Sequence, residues 1–109
     1  MARVRVLLVC GSGASSGFMA SNIRKAAGAR GLDISLVARG ESEIENYVDE
    51  IDALMVGPHL AYILDEIDEY VGDRAVTVLQ MKPEYYATLD GDKALDHLLD
   101  ALGQNGGRA

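Results

Sequence analysis

The feature that most constrains the fold is an apolar run that ends in the chain's single cysteine. Val6-Leu7-Leu8-Val9 leads directly into Cys10, and small residues follow from Gly11 to Gly17. A run that is apolar on both faces is typical of a buried parallel strand. Small residues after such a strand allow backbone N–H groups to turn toward an anion where the next helix begins. The stretch therefore predicts a buried strand, an anion-binding loop and then a helix.

The rest of the chain alternates apolar runs with segments of helical periodicity. Strands are predicted at 3–9, 34–38, 52–56 and 75–79, and helices at 15–30, 40–50, 58–72, 83–89 and from about Asp90 or Asp92 to 102. Ser15 or Ser16 is expected to cap the first helix, and Gly31 to end it. This alternation predicts an α/β fold with a parallel sheet and helices on both faces. In such sheets ligands bind beyond the carboxyl ends of the strands. Cys10 is expected to lie there, at the end of the first strand, which should be central in the sheet.

Length and charge limit the possible classes of protein. The 109 residues fit one domain, predicted at 1–103, with 104–109 as a flexible tail. The net charge of −7 argues against nucleic-acid binding. No apolar run reaches the ~20 residues that span a bilayer, so we expect a cytoplasmic protein. One cysteine excludes an internal disulfide and a cysteine-only metal site, and we predict neither metal nor cofactor.

Cys10 has two interpretations. A free cysteine is often a small core residue. A cysteine between a strand and a helix N-terminus is instead stabilised as a thiolate by the helix dipole and free amides. The following residues then supply backbone donors for a phosphoryl group, and the predicted phosphate-binding loop is Gly11, Ser12, Gly13, Ala14, Ser15 and Ser16.

Other phosphate loops fit the residues less well. A Walker A loop needs a lysine at its end, and the first lysine after Cys10 is Lys25. The glycines of 11–17 are spaced GxGxxxG, a loose form of the dinucleotide fingerprint, in which Arg39 would meet a 2′-phosphate. A cysteine-dependent phosphatase loop places an arginine six residues after the cysteine, where this chain has Ser16. A low-molecular-weight phosphatase relative and a non-enzymatic flavodoxin-like nucleotide-binding module stay as alternatives.

Three segments carry a resemblance to a known family. The strand, cysteine, small residues and serine pair of 6–16 resemble the IIB component of the lactose/cellobiose class of the bacterial phosphoenolpyruvate-dependent sugar phosphotransferase system. Gly57-Pro58-His59-Leu60-Ala61-Tyr62 is similar to that family's Gly-Pro-Gln-x-Ala-Tyr segment, and Tyr86 with Asp90-Gly91 resembles its late Tyr and Asp-Gly. The chain departs from the family pattern in its additional loop glycines and in His59, which replaces Gln.

The resemblance implies a function and a topology. A phosphohistidine on a IIA partner would pass its phosphoryl group to Cys10, and the phosphocysteine would phosphorylate a sugar at the membrane-embedded IIC partner. The chain would thus be a phosphotransferase component, cytoplasmic and transiently at the inner face of the membrane. The implied sheet is four-stranded and parallel, with strand order 2-1-3-4.

Several other side chains have open interpretations. His59 and Tyr86 are candidate rim residues of the site, although His59 also fits a plain exposed position in a first helical turn. Phe18 and Met19 fit either the core or an apolar collar around the cysteine. His97, between leucines on the last helix, is predicted to be a solvated surface residue, and Tyr85 is predicted to serve packing.

Overall fold

A four-stranded parallel sheet forms the centre of the protein. The computed structural model describes residues 4–9 and 13–106. The strands are β1 (Val4–Val9), β2 (Ile34–Arg39), β3 (Ala53–Val56) and β4 (Thr77–Gln80), in the order β2-β1-β3-β4. All three neighbouring pairs are parallel. The predicted fold class and strand order are confirmed, and β1 is an internal strand.

Five α-helices connect and cover the strands in the described part of the chain. They are α1 (Gly13–Ala29), α2 (Ile44–Tyr47), α3 (Leu64–Val71), α4 (Pro83–Ala87) and α5 (Gly91–Gly106). Short 3₁₀ segments, Glu41–Glu43 and Pro58–Ile63, precede α2 and α3. The segment predicted as a helix over 58–72 packs apolar side chains into a core, but residues 58–63 are 3₁₀ and the α-helix begins only at Leu64.

Alternate residues of β1 pack into two separate cores. Val6 and Leu8 face a core that α1 and α5 complete with Ile23, Leu95 and Leu98. On the opposite face, Leu7 and Val9 join side chains from α2 and α3, including Ile44 and Ile67. Because successive strand side chains point to opposite faces, a strand buried on both sides must be apolar throughout. This explains the unbroken apolar run of β1.

The turn between α4 and α5 is anchored on α1. The Asn22 side-chain amide donates to the Leu89 carbonyl oxygen at 2.8 Å. Leu89 has a positive φ of 54°, which is unusual for a non-glycine residue. Gly91 follows so close to Asn22 that a side-chain Cβ there would overlap the Asn22 backbone carbonyl. The turn therefore requires glycine at position 91.

The start of α1 and the end of α5 also differ from the sequence predictions. Helix α1 begins at Gly13, so Ser15 and Ser16 lie within its first turn, and the prediction that one of them caps the helix is wrong. A cap must precede the first helical residue, and the small residues Gly13 and Ala14 are themselves helical. Helix α5 extends to Gly106, three residues into the segment predicted as a tail.

Candidate functional site at the carboxyl edge of the sheet

The four strands end in register at one edge of the sheet. Val9, the last residue of β1, pairs with Arg39 of β2 and with Val56 of β3, and Val56 pairs with Gln80 of β4. This is the edge at which parallel α/β sheets bind ligands. Cys10 follows Val9 directly in the sequence.

The segment after β3 is hydrogen-bonded to both of its neighbouring strands. The Gly57 N–H donates to the Val9 carbonyl oxygen at 2.8 Å. On the other side, the Gln80 side-chain amide donates to the Pro58 carbonyl oxygen at 2.9 Å. The chain thus holds the segment that carries His59 directly beside the residue that precedes Cys10.

His59 and Tyr86 contact each other at this edge. Their ring centroids lie 6.0 Å apart, and the ring planes are tilted by 57°. His59 is exposed on the 3₁₀ segment after β3, and Tyr86 is half-buried on α4. Both residues are candidate rim positions from the sequence, and the structure brings them together.

The structure describes the predicted phosphate-binding loop only from Gly13 onward. Cys10, Gly11 and Ser12 lie outside the described residues. Gly13, Ala14, Ser15 and Ser16 form the first turn of α1. Backbone N–H groups in the first turn of a helix have no partner within that helix and carry the positive end of its dipole. Phosphate binding by these residues stays a prediction.

A cation lies at the same edge, on the neighbouring strand. The Arg39 Nε–H donates to the Tyr47 hydroxyl at 3.0 Å, and the guanidinium carbon lies 5.7 Å from the centre of the Tyr47 ring. Hydrogen bonding and cation–π attraction both hold the guanidinium in place. The sequence suggests a role for Arg39 only at a dinucleotide 2′-phosphate and does not predict its contact with Tyr47.

Phe18 and Met19, which the sequence assigns either to the core or to an apolar collar around the cysteine, have different environments. Met19 is fully buried and belongs to the core, whereas the Phe18 side chain is 65% exposed. Tyr62, after His59 on the 3₁₀ segment, is 70% exposed. The core interpretation therefore applies to Met19 and is wrong for Phe18.

His97 contacts Tyr85, which the sequence does not predict. Its Nδ1 lies 2.6 Å from the Tyr85 hydroxyl oxygen, and the two rings meet edge to face with centroids 5.8 Å apart. Burial lowers the pKa of His97 below its ordinary value, and nearby Lys82 lowers it further against an opposing effect of Asp100. The prediction of a solvated surface residue is wrong, because α4 packs against this side of α5. A short helix is predicted at 83–89, but its sequence does not show which element it packs on. Tyr85 is buried, which confirms its predicted packing role.

Comparison with known proteins identifies the class. The family model described as "PTS system, Lactose/Cellobiose specific IIB subunit" matches residues 5–97. The chain belongs to this family, and it is therefore a IIB phosphotransferase component of a sugar phosphotransferase system.

Individual relatives agree with the family assignment. The chain is 28% identical over 100 residues to the galactose-specific EIIB component of Lactococcus lactis subsp. cremoris, covering 87% of this chain and 93% of that protein. The cellobiose-specific EIIB component of Lactococcus lactis subsp. lactis matches with the same identity and coverage. The lactose-specific IIB domain from Streptococcus pneumoniae shares the fold, with a TM-score of 0.82, 16% identity, and coverage of 92% of this chain and 98% of that one.

The described residues contain no helix that meets the length and hydropathy needed to cross a membrane.

Proposed function

We infer that Cys10 is the phosphoryl-carrying residue of this IIB component. In the first step the Cys10 thiolate attacks the phosphorus of a phosphohistidine on the IIA partner. The S–P bond forms as the N–P bond breaks, and the released imidazole takes up a proton. In the second step a hydroxyl of a sugar at the IIC partner attacks the same phosphorus, loses its proton, and regenerates the thiolate.

The observation that carries this proposal is the position of Cys10 in a chain of this family. Cys10 comes between an internal strand, β1, and α1, which begins three residues later at Gly13. The positive end of the α1 dipole favours a thiolate and then the charge of the phosphoryl group. First-turn amides of α1 are suited to hold the phosphoryl oxygens during transfer.

Transfer rather than hydrolysis follows from the residue at position 16. A phosphatase of this loop design has an arginine six residues after the cysteine, and this chain has Ser16. Without that guanidinium, attack of water on the phosphocysteine is expected to be slow. A carrier that must keep its phosphoryl group until the acceptor arrives needs this property.

The partners and the site of action belong to the same proposal. The donor is a phosphorylated IIA protein and the acceptor side is the membrane IIC permease, so the chain works in the cytoplasm and transiently at the inner face of the membrane. The sugar is expected to be selected by IIC. Two relatives with different sugars in their names are equally similar to this chain, so similarity favours neither sugar.

Intact-mass measurement tests the proposal. Wild-type protein and Cys10→Ser are each incubated with phosphoenolpyruvate, the general phosphotransfer proteins and a cognate IIA. We expect one added phosphoryl group on the wild type and none on the variant. Phosphorylation of the variant, or of neither protein while IIA itself is phosphorylated, would show that Cys10 is not the carrier. Steady hydrolysis of an aryl phosphate would support the phosphatase alternative instead.

A further inference from the structure

A buried hydroxyl on α4 has its partner on α5. Tyr85 is only 4% exposed, and its hydroxyl contacts His97 Nδ1 at 2.6 Å. Burial raises the pKa of Tyr85, an effect that a hydrogen bond from the Lys82 backbone opposes, so the phenol keeps its proton. The protonated phenol donates to Nδ1 when His97 is neutral with its own proton on Nε2, since an unprotonated ring nitrogen is the acceptor in such a contact.

Helix α4 depends on this contact for its position. It has five residues, Pro83–Ala87, and no side chain caps its N-terminus. A helix this short is not stable alone and is held by its tertiary contacts. Tyr85 is the buried residue of α4, and it packs in the core with side chains of α1 and α5. The hydrogen bond to His97 fixes the rotation of α4 about this buried ring, because it acts on the far end of the side chain.

The rotation of α4 matters at the candidate site. Tyr86 follows Tyr85 directly, and its ring lies 6.0 Å from the ring of His59. His59 in turn lies two residues after Gly57, whose N–H is bonded to Val9. A continuous set of contacts therefore connects α5 to the strand end that precedes Cys10.

We propose that His97 is a positioning residue, which through Tyr85 holds Tyr86 against His59 and so fixes the wall of the phosphoryl-transfer site. The contacts of Tyr85 with His97 and of Tyr86 with His59 are seen in the structure and do not depend on the function of Cys10. Its effect on transfer rests on the proposed function of Cys10.

The NMR signals of His59 test the positioning directly. The chain has two histidines, His59 and His97, so the imidazole C–H spectrum of untagged protein is simple. In wild type the His59 signals are shifted by the ring current of Tyr86, and Tyr86→Leu gives their positions without it. We expect His97→Leu and Tyr85→Phe to move the His59 signals toward the Tyr86→Leu positions. Asparagine places Oδ1 near the position of Nδ1, so His97→Asn is expected to keep the wild-type signals.

Transfer kinetics provide the second measurement. With phosphorylated IIA as donor, we expect His97→Leu and Tyr85→Phe to lower kcat by on the order of tenfold with KM for IIA unchanged, since a misplacement of about 1 Å can cost ~10²-fold. His97→Asn should restore kcat. The double variant Tyr85→Phe/His97→Leu should be no slower than the slower single variant, because both substitutions break the same contact.

The outcomes separate the two proposals. Unmoved His59 signals in a folded His97→Leu or Tyr85→Phe protein would overturn the positioning role, whether or not Cys10 is phosphorylated. Moved signals with unchanged kcat would overturn its effect on transfer. Absence of any phosphorylation of the wild type would overturn the function of Cys10, while the NMR result still decides the contact. If His97→Leu does not fold, Tyr85→Phe, which removes a single oxygen, carries the test.

Discussion

Gly91 is the glycine at which the described part of the chain leaves no room for a side chain. A Cβ there would overlap the carbonyl group of Asn22 in α1 and would lie 2.9 Å from the Asn22 Cβ. Neither obstacle is the end of a flexible side chain, so the backbone itself must move. The Asn22 amide also holds the adjacent turn through Leu89, which resists that movement.

Gly91→Ala is therefore expected to lower the free energy of unfolding by about 1–3 kcal/mol, the usual cost of overpacking. For a domain of this size, each 1 kcal/mol lowers Tm by roughly 4–8 °C. Thermal and urea unfolding measure the change. Gly28→Ala is the matched control, because Gly28 lies within α1 with no atom within 4 Å of an added Cβ. It is expected to stabilise by about 0.5–1 kcal/mol through helix propensity. Equal effects of the two substitutions would contradict the steric argument.

Among the elements, α5 is preceded by a residue, Asp90, that supports its first turn. The Asp90 carboxylate accepts a hydrogen bond from the Lys93 N–H at 3.1 Å, the geometry of a helix cap. Asp90→Ala leaves that N–H without its partner and is expected to cost about 1 kcal/mol of unfolding free energy. Asp90→Asn keeps an oxygen acceptor and should cost less than half as much. Urea unfolding of both variants checks this order, and equal costs for the two variants would show that the charge of Asp90, rather than its acceptor, is what matters.

The packing of α4 on α5 also predicts a dependence of stability on pH. The pKa of His97 is lowered in the folded protein by burial, so between that pKa and about 6.5 the unfolded chain binds more protons than the folded one. The stabilisation from His97 is therefore complete above pH 6.5 and decreases as the pH falls below it. The charged side chains around the pair are Lys82, which precedes α4, Glu84 on α4, and Lys93, Asp96 and Asp100 on α5.

His97→Asn removes this titration and leaves the surrounding charges in place. Urea unfolding at about pH 7.5 and about pH 5.5 should show that acidification destabilises the wild type more than the variant. Each protein is compared with itself at the two pH values, so the difference in helix propensity between histidine and asparagine cancels. An equal loss in both proteins would contradict the lowered pKa of His97.

The sequence predicts elements best where burial alone decides them. Strand β1 is apolar on both faces because it is internal, and the stripe that includes Ile67 and Val71 is apolar because it packs on one core. The start of α1 was misplaced because glycine and alanine give no cap signal, although a helix can begin with them. His97 was misplaced because its environment depends on α4, whose five residues carry too little periodicity to show what they cover.

At the scale of the whole molecule, the sheet brings together residues that are far apart in the sequence. Strands β1, β3 and β4 end at one edge of the sheet, as an alternating α/β pattern predicts. The segments that carry Cys10, His59 and Tyr86 each follow one of these strand ends in the sequence. The contact between the His59 and Tyr86 rings was not predictable from spacing, since it depends on the path of α4 after β4. Arg39 reaches the same edge because β2 and β1 end in register, but its hydrogen bond to the Tyr47 hydroxyl was not predictable from spacing.

The chain's acidity makes anion binding a stringent test of the candidate site. A protein of net charge −7 repels phosphate in general, so specific binding requires local donors such as the first-turn amides of α1. An anion that binds only the folded protein stabilises it by mass action, by about 1.4 kcal/mol at ten times its dissociation constant. We expect millimolar phosphate or sulfate to raise Tm by several degrees, in Cys10→Ser as well as in the wild type, because amides rather than the thiol hold the anion. Sodium chloride at matched ionic strength controls for screening of the acidic surface. An equal rise of Tm in chloride, or none in phosphate, would mean that the empty site is not arranged to bind a phosphoryl group.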